Sequence, residues 1–150
     1  MLIINGIDEL RRRVGTELGV SSWHEITQER IAAFAAATDD YEELHLSPER
    51  AASTPWGVTI AHGLFTLSLG PKFMYEIYEM RGLSLWLNYG FDRVRFVSPV
   101  PVESRVRMRA QLTAVDDVEG GVRARILETF EIDGHAKPAC VAESVVAYFD

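Results

Sequence analysis

Asp40, His45 and the dipeptide His62-Gly63 lie close together in the sequence and supply three parts of one reaction. A carboxylate and an imidazole five residues apart can hold one water molecule between them, and they can remove a proton from it and return one. A glycine amide that opens an apolar run can donate a hydrogen bond to a thioester carbonyl oxygen. Together these groups are what a hydratase needs.

Two segments carry a family resemblance. Residues 39–52 read D-D-Y-E-E-L-H-L-S-P-E-R-A-A, and residues 59–69 read T-I-A-H-G-L-F-T-L-S-L. They resemble the MaoC-like, or (R)-specific, enoyl-CoA hydratases, whose pattern is D-x-N-P-x-H, a short helix, and then v-x-H-G at the start of a long central helix. The resemblance extends over nearly the whole chain. It implies that Asp40 and His45 are the catalytic pair and that His62 and Gly63 form the histidine-glycine element.

The resemblance also implies a reaction, a fold and an assembly. The reaction is the reversible addition of water to a trans-2-enoyl-CoA to give the (R)-3-hydroxyacyl-CoA, with syn geometry. The CoA thioester is the substrate and no cofactor is expected. The Gly63 amide is the candidate donor to the thioester oxygen, because it begins a helix with its positive end towards the site. The family's hot-dog chains pair as dimers, so we expect a homodimer with two active sites near the interface.

Glu42 and Glu43 depart from the family pattern, because they stand where asparagine and proline are usual. An asparagine amide both donates and accepts hydrogen bonds, whereas an ionised glutamate only accepts. This departure bears on the orientation of the catalytic pair, on substrate preference and on turnover rate more than on reaction class.

Length and composition indicate one domain, residues 1–150. With 150 residues, 47% of them hydrophobic, the chain can bury a single core. The lone Cys140 excludes an internal disulfide framework, and the first residues lack a secretory pattern. We therefore expect a cytoplasmic protein without a membrane span. The formal net charge of -7 argues against a nucleic-acid surface. The four histidines lack the spacing of a metal site, so no metal is predicted.

Helical patterns occupy the first half of the chain. Residues 27–38 are alanine-rich, with Thr27 as a plausible N-cap, and a short helix should begin at Pro48. Residues 62–80 form the longest apolar helical pattern, which Pro71 should kink or split into two. Because the first half of this segment is apolar nearly all round, we expect other elements to wrap around it.

Strand patterns follow, and they could provide that wrapping. β-Branched and alternating residues predict strands over residues 83–98, 104–116, 122–132 and 138–149, with an earlier strand over residues 18–26. Gly120-Gly121 and Asp133-Gly134 separate the last three as hairpin connections. The predicted fold class is α+β: a single hot-dog domain in which a curved antiparallel sheet wraps around a long central helix.

Each site residue also has a structural interpretation. Asp40 could be a solvated turn residue, and His45 could be a half-buried histidine without a catalytic role. His62 could only brace the loop through a backbone hydrogen bond, and Gly63 could be required because the sheet packs close to the backbone. Asn88, beside Tyr89-Gly90 in a predicted strand, is a candidate for the substrate wall, since a glycine there indicates a bulge or a ligand.

Two further groups of residues have both a structural and a functional interpretation. Alternating arginines on two strands form a cationic ladder, which we interpret as a solvated face balanced by Glu128 and Glu131 in preference to contacts with CoA phosphates. Phe73, Met74 and Trp86 are core residues or part of an acyl pocket, and the sequence does not separate the two. The ladder comprises Arg105, Arg107, Arg109, Arg123 and Arg125.

Two other functions are compatible with the sequence. A hot-dog thioesterase would hydrolyse the same acyl-CoA, typically with a carboxylate that has no paired histidine, so Asp40 with His45 argues against it. A non-catalytic acyl-CoA binding or assembly subunit is a different class of protein, and Glu42 in place of asparagine is the feature that favours it.

Overall fold

An antiparallel sheet packs around a broken central helix in the computed structural model, which describes residues 1–149. The six-stranded sheet has the order β2-β6-β7-β8-β5, with β3 also paired to β6. In chain order the elements are β1 (Leu2–Asn5), α1 (Gly6–Arg12), β2 (Glu17–Val20), β3 (His24–Glu25), α2 (Gln28–Thr38), α3 (Glu43–Leu46), α4 (Pro48–Ala52), α5 (Gly63–Ser68), α6 (Gly70–Ile77), β4 (Tyr78–Arg81), β5 (Leu85–Phe96), β6 (Arg105–Val118), β7 (Gly121–Ile132) and β8 (Cys140–Phe149).

Side-chain alternation fixes which face of the sheet is buried. In β7 every second side chain, from Val122 to Ile132, is buried against the helices, and the intervening ones are half-buried on the outer face. The partner residues on β6 and β8 follow the same register, so their buried side chains join one core. The predicted α+β hot-dog architecture, with a curved antiparallel sheet around a central helix, is therefore confirmed.

The central helix is split, as the position of Pro71 predicts. α5 ends at Ser68 and α6 begins at Gly70, with Pro71 in the first turn of α6, where its missing N–H costs no hydrogen bond. Phe65, Phe73 and Ile77 are buried in the core. The prediction of helix up to residue 80 is wrong, because residues 78–81 form β4, which pairs in parallel with β1.

The four long predicted strands are confirmed to within about two residues at most ends. The predicted strand over residues 18–26 is two short strands, β2 and β3, both paired with β6. The predicted helices near Thr27 and Pro48 are present, and the Thr27 hydroxyl caps α2 by accepting from the Arg30 amide at 3.2 Å. The pattern analysis did not predict β1, α1 or α3.

Both predicted hairpin connections are present. Gly120 has a φ of 77° and Gly134 a φ of 74°, left-handed conformations that glycine adopts without strain. The strand register also shifts between Asn88 and Gly90, where a bulge was expected. Among the described residues, no helix is both long and apolar enough to cross a membrane.

The arginine ladder lies on the outer face of the sheet, where acidic residues pair with most of it. Arg107 contacts Glu131 at 2.6 Å, Arg109 contacts Glu17 at 2.5 Å, and Arg125 contacts Asp92 at 2.9 Å. The interpretation as a balanced outer face is therefore confirmed for these pairs. Arg105 pairs with Asp133, and the Arg123 guanidinium lies 3.8 Å from the centre of the Tyr89 ring.

The prediction that Glu128 balances the arginines is wrong, because its side chain lies in the core. Glu128 is 1% exposed. Its Oε2 would lie 3.3 Å from a Cβ added at Gly70, where the central helix breaks. No cation forms an ion pair with it among residues 1–149. Burial raises the pKa of the Glu128 carboxyl from 4.5 to about 7, although the Ser144 hydroxyl lowers it in part. The period-2 pattern should have placed Glu128 on the same face as Ile126 and Phe130.

We predict that Glu128→Gln reduces the pH dependence of folding stability. Because the folded state raises the pKa of Glu128, its stabilising contribution is fully present below about pH 4.5 and is lost as the pH rises through about 7. The rise in the pKa of Glu128 on folding corresponds to about 3 kcal/mol in the free energy of unfolding. Urea unfolding between about pH 5 and pH 8 measures it. Glu119→Gln, in an exposed turn, is the matched control, and an equally steep decline in Glu128→Gln would contradict this account.

Candidate active site

Asp40 follows the end of α2. The helix terminates at Asp39, which has a φ of 57°, a left-handed conformation that aspartate tolerates better than most residues. The Asp40 amide donates to the Ala35 carbonyl at 3.1 Å and holds the turn against the helix. The Asp40 carboxylate is exposed and borders a cleft, where the Glu42 amide donates weakly to its Oδ1 at 3.4 Å.

His45 lies on α3, and its ring is fixed by a main-chain acceptor. Its Nδ1 lies 2.7 Å from the Ile60 carbonyl oxygen, which can only accept, so Nδ1 carries the proton. In the neutral ring the other nitrogen, Nε2, is then an acceptor. The Gln28 amide donates to the His45 carbonyl at 2.8 Å, and the Thr59 hydroxyl donates to Gln28 at 2.5 Å. These contacts hold α3 in place below the cleft.

His62 is buried and connects the two catalytic candidates. Its Nε2 donates to the Asp40 carbonyl oxygen at 3.1 Å, and its ring stacks on His45 with centroids 3.8 Å apart. Phe34 packs on the same ring at 5.0 Å. The bracing role predicted for His62 is therefore what the structure shows. Its Nδ1 is buried without a hydrogen-bond partner among the described residues.

The spacing of Asp40 and His45 suits a bridging water. One ligand atom each of Asp40, His45 and His62 lies within 4.8 Å of the others, yet Asp40 and His45 form no direct ion pair within residues 1–149. A water that makes two hydrogen bonds of normal length spans about 4.5 Å between its partners. The carboxylate of Asp40 and the imidazole of His45 are therefore close enough to share one water molecule.

Gly63 begins α5, directly after His62. The first amides of a helix have no acceptor within it, so they are available to a ligand. A Cβ added at Gly63 would lie 2.9 Å from the Phe96 ring of β5, so a larger residue would require this ring to shift. The close-packing interpretation of Gly63 is therefore confirmed, and it does not compete with the proposed role of the amide.

Asp40, His45, His62 and Gly63 line one cleft of about 360 Å³. Leu64, Thr66, Phe96 and Val97 contribute apolar and small side chains to its walls. Asn88 does not line it: the residue is exposed on β5 opposite Val146, so its role in a substrate wall stays a prediction. Glu42 and Glu43 are exposed outside the cleft, and Glu42 contacts Asp40 through its amide and not through its side chain.

The side chains of Asp40, His45 and His62 carry the types of atom that bind metal ions. Two of the imidazole nitrogens, His45 Nδ1 and His62 Nε2, already face carbonyl oxygens. One nitrogen of each ring is left, and the ligand atoms of the three residues lie within 4.8 Å of one another. The absence of a metal therefore stays a prediction.

Several supporting contacts were not predicted from the sequence. The Ile60 carbonyl, the Gln28–Thr59 pair and the Phe96 ring hold the site, but none belongs to the motif. A carbonyl acceptor leaves no trace in residue type. Gln28 and Phe96 become informative only when the fold brings their elements to the site.

A paired carboxylate and histidine beside a helix start, in a hot-dog fold, define a hydratase or dehydratase. The family model described as "MaoC like domain" matches residues 9–130 of the chain. The chain is 46% identical to 3-hydroxyacyl-thioester dehydratase Z of Mycobacterium tuberculosis, over 99% of both chains. It is 42% identical to nodulation protein N of Rhizobium leguminosarum, over 92% of this chain and 88% of that protein. The solved (R)-hydratase from A. caviae superposes with a TM-score of 0.73, at 27% identity, over 89% and 94% of the two chains.

The chain belongs to the MaoC-like family, and it is a hydro-lyase of the hydratase/dehydratase type. The family resemblance of the two motif segments is thereby confirmed.

We predict that Gly63→Ala destabilises the protein through a clash with Phe96. The added methyl would lie about 2.9 Å from the ring, and overpacking of this kind costs about 1–3 kcal/mol in the free energy of unfolding. Combining it with Phe96→Ala should remove the clash, so the double mutant should be more stable than the sum of the two single changes implies. Thermal unfolding measures this coupling. Simple additivity would mean that the ring does not restrict position 63.

Proposed function

We propose that the protein is an (R)-specific enoyl-CoA hydratase, which adds water to trans-2-enoyl-CoA to give (R)-3-hydroxyacyl-CoA and catalyses the reverse dehydration. The observation that carries this proposal is the bond from His45 Nδ1 to the Ile60 carbonyl, which leaves Nε2 free to act with Asp40 on one water. The similarity to 3-hydroxyacyl-thioester dehydratase Z, named for the reverse reaction, supports it.

The proposed chemistry needs only acid-base groups and hydrogen-bond donors. The water oxygen forms a bond to carbon 3 while Asp40 and His45 accept one of its protons. The electron pair of the carbon-carbon double bond moves towards the thioester, and the charge on its oxygen is stabilised by the Gly63 amide. A proton then returns to carbon 2 on the same face, so atoms and charge balance without a cofactor.

We predict that Asp40→Asn and His45→Gln each lower the turnover of crotonyl-CoA hydration by about 10²–10⁴-fold, with little change in unfolding. The double mutant should be little slower than the slower single mutant, because groups that act as a unit are not additive. A spectrophotometric assay of the enoyl thioester, with chiral analysis of the product, measures both rate and configuration.

Asp39→Asn is the matched control for these variants. It removes a neighbouring carboxylate from a left-handed position that asparagine also tolerates, so turnover should stay near that of the unmodified protein. Near-normal turnover of either catalytic variant would contradict the mechanism. Release of free thiol without hydration would identify a thioesterase, and binding without either reaction would identify a non-catalytic subunit.

We also propose that the protein is a homodimer paired through β5. This strand of twelve residues is the edge of the six-stranded sheet, and within residues 1–149 no strand pairs with its outer side. Leu85, Leu87, Tyr89 and Phe91 are between 48% and 58% exposed. A long edge strand with exposed apolar side chains is a template for pairing, and a second copy would cover it.

A cytoplasmic location also stays a prediction, supported by the lone, buried Cys140.

We predict that Leu87→Lys weakens the dimer. A lysine on an edge strand disfavours pairing because its charge would have to be buried. Sedimentation at micromolar concentration should show a dimer for the unmodified protein and a shift towards monomer for the variant. Val14→Lys, at another exposed apolar position, should stay dimeric. A stable monomer of the unmodified protein would refute the proposed assembly.

A further inference from the structure

The helix that carries His45 is too short to hold its own position. α3 is a single turn of four residues, and each of them is exposed or only half-buried. A helix of this length is unstable by itself, because one turn orders several residues for very few hydrogen bonds. Its place beside the cleft therefore depends on the contacts that it makes with other segments.

Hydrogen bonds join α3 to two other parts of the chain. The Ile60 amide donates to the Leu44 carbonyl at 3.2 Å, and His45 Nδ1 donates to the Ile60 carbonyl at 2.7 Å. The other connection is made by a side chain, since the Gln28 carboxamide donates to the His45 carbonyl at 2.8 Å. Gln28 is therefore the contact of α3 that a substitution outside the catalytic pair can remove.

The direction of the Gln28 carboxamide is fixed at both of its ends. The His45 carbonyl can only accept a hydrogen bond, so the NH₂ group of Gln28 faces it. The carboxamide oxygen then faces the Thr59 hydroxyl, which donates to it at 2.5 Å. A reversed carboxamide would set two carbonyl oxygens against each other. The chain of donors thus runs in one direction, from Thr59 through Gln28 to His45.

Gln28 and Thr59 are both anchored to residues 100–104, the segment directly before β6. The Val102 amide donates to the Thr59 carbonyl at 2.9 Å. Ile26, two residues before Gln28, forms two main-chain hydrogen bonds of 2.8 Å with the same segment. Because Thr59 and Ile26 are buried, both anchors are shielded from water. The donor chain therefore starts from a fixed part of the fold.

Gln28 and Thr59 act on the site through His45. Neither of them lines the cleft that contains the catalytic pair. Asp40 is placed by a different contact, because it follows the end of α2, whereas Gln28 begins this helix. A shift of α3 away from Gln28 would therefore change the distance between the carboxylate and the imidazole. An error of about 1 Å in the position of a catalytic group can lower a rate about 10²-fold.

We propose that Gln28 and Thr59 are positioning residues for the hydration reaction, which set the place of His45 relative to Asp40 through the His45 carbonyl. The inference rests on the proposed hydratase function and adds residues that control turnover without touching the substrate. Loss of the donor chain should lower kcat, because the pair is misaligned. KM should change little, because the walls of the cleft stay in place.

The test measures crotonyl-CoA hydration by variants of the intact protein. Thr59→Val keeps the shape of the side chain but removes the hydroxyl, so kcat should fall about 10-fold. Gln28→Met removes both polar groups of the carboxamide and should lower kcat about 10²-fold, with KM within about twofold. Thr59→Ser keeps a hydroxyl and should keep kcat near normal. The double variant should be little slower than Gln28→Met, because both changes break one chain.

Thr113→Val is the matched control. The Thr113 hydroxyl donates to the Arg125 carbonyl at 3.0 Å on the sheet, so the same substitution far from His45 should leave kcat unchanged. Nitrogen-15 NMR examines the His45 ring without substrate. In Gln28→Met the Nδ1 proton of His45 should exchange with water about 10-fold faster, because α3 separates from Ile60 more often.

A kcat of folded Gln28→Met within about twofold of that of the unmodified protein would overturn the inference and leave the proposed function standing. A loss of kcat without faster proton exchange, or an equal loss in Thr113→Val, would also overturn it. If the unmodified protein hydrates no enoyl-CoA, the proposed function fails, whereas faster exchange still supports the positioning of His45. Circular dichroism confirms folding, and if Gln28→Met does not fold, the two Thr59 variants decide by the same criteria.

Discussion

The hydrogen bond from His45 Nδ1 to the Ile60 carbonyl is the contact on which the site depends. It joins α3 to the segment that leads into α5, so it sets the distance between the catalytic pair and Gly63. It also fixes the proton on Nδ1, which makes Nε2 the nitrogen that acts on water. Stacking of His62 on His45, with its bond to the Asp40 carbonyl, ties the carboxylate to the same unit.

The sheet supplies the second constraint, since it determines where the central helix can begin and where it must break. Phe96 of β5 packs so close to Gly63 that a side chain at this position would displace the ring. At the break, a Cβ added at Gly70 would lie 3.3 Å from Oε2 of the buried Glu128, so a larger residue there would require this side chain to shift. Glycines at both positions therefore allow a helix to lie tightly against the sheet while its first amides remain near the cleft.

Much of this arrangement could be predicted from the sequence, because periodicity follows directly from burial. Alternation along residues 122–132 identified β7, and Pro71 indicated the break in the central helix. Short elements such as β1 and α3 were missed because a few residues carry no readable period. Glu128 was misplaced because its charge was weighed above its position in the alternation. The Ile60 acceptor could not be foreseen, since a main-chain oxygen has no sequence signature.

The central claim, that His45 presents an unprotonated Nε2 to the water it shares with Asp40, can be tested by nitrogen-15 NMR of the histidine side chains. In the neutral ring, the structure predicts that His45 carries its proton on Nδ1 and that its Nε2 has the chemical shift of an unprotonated nitrogen. Exchange of Ile60 for another residue should leave this tautomer unchanged, because the acceptor is a carbonyl of the main chain. A His45 ring protonated on Nε2, with a bare Nδ1, would contradict the account.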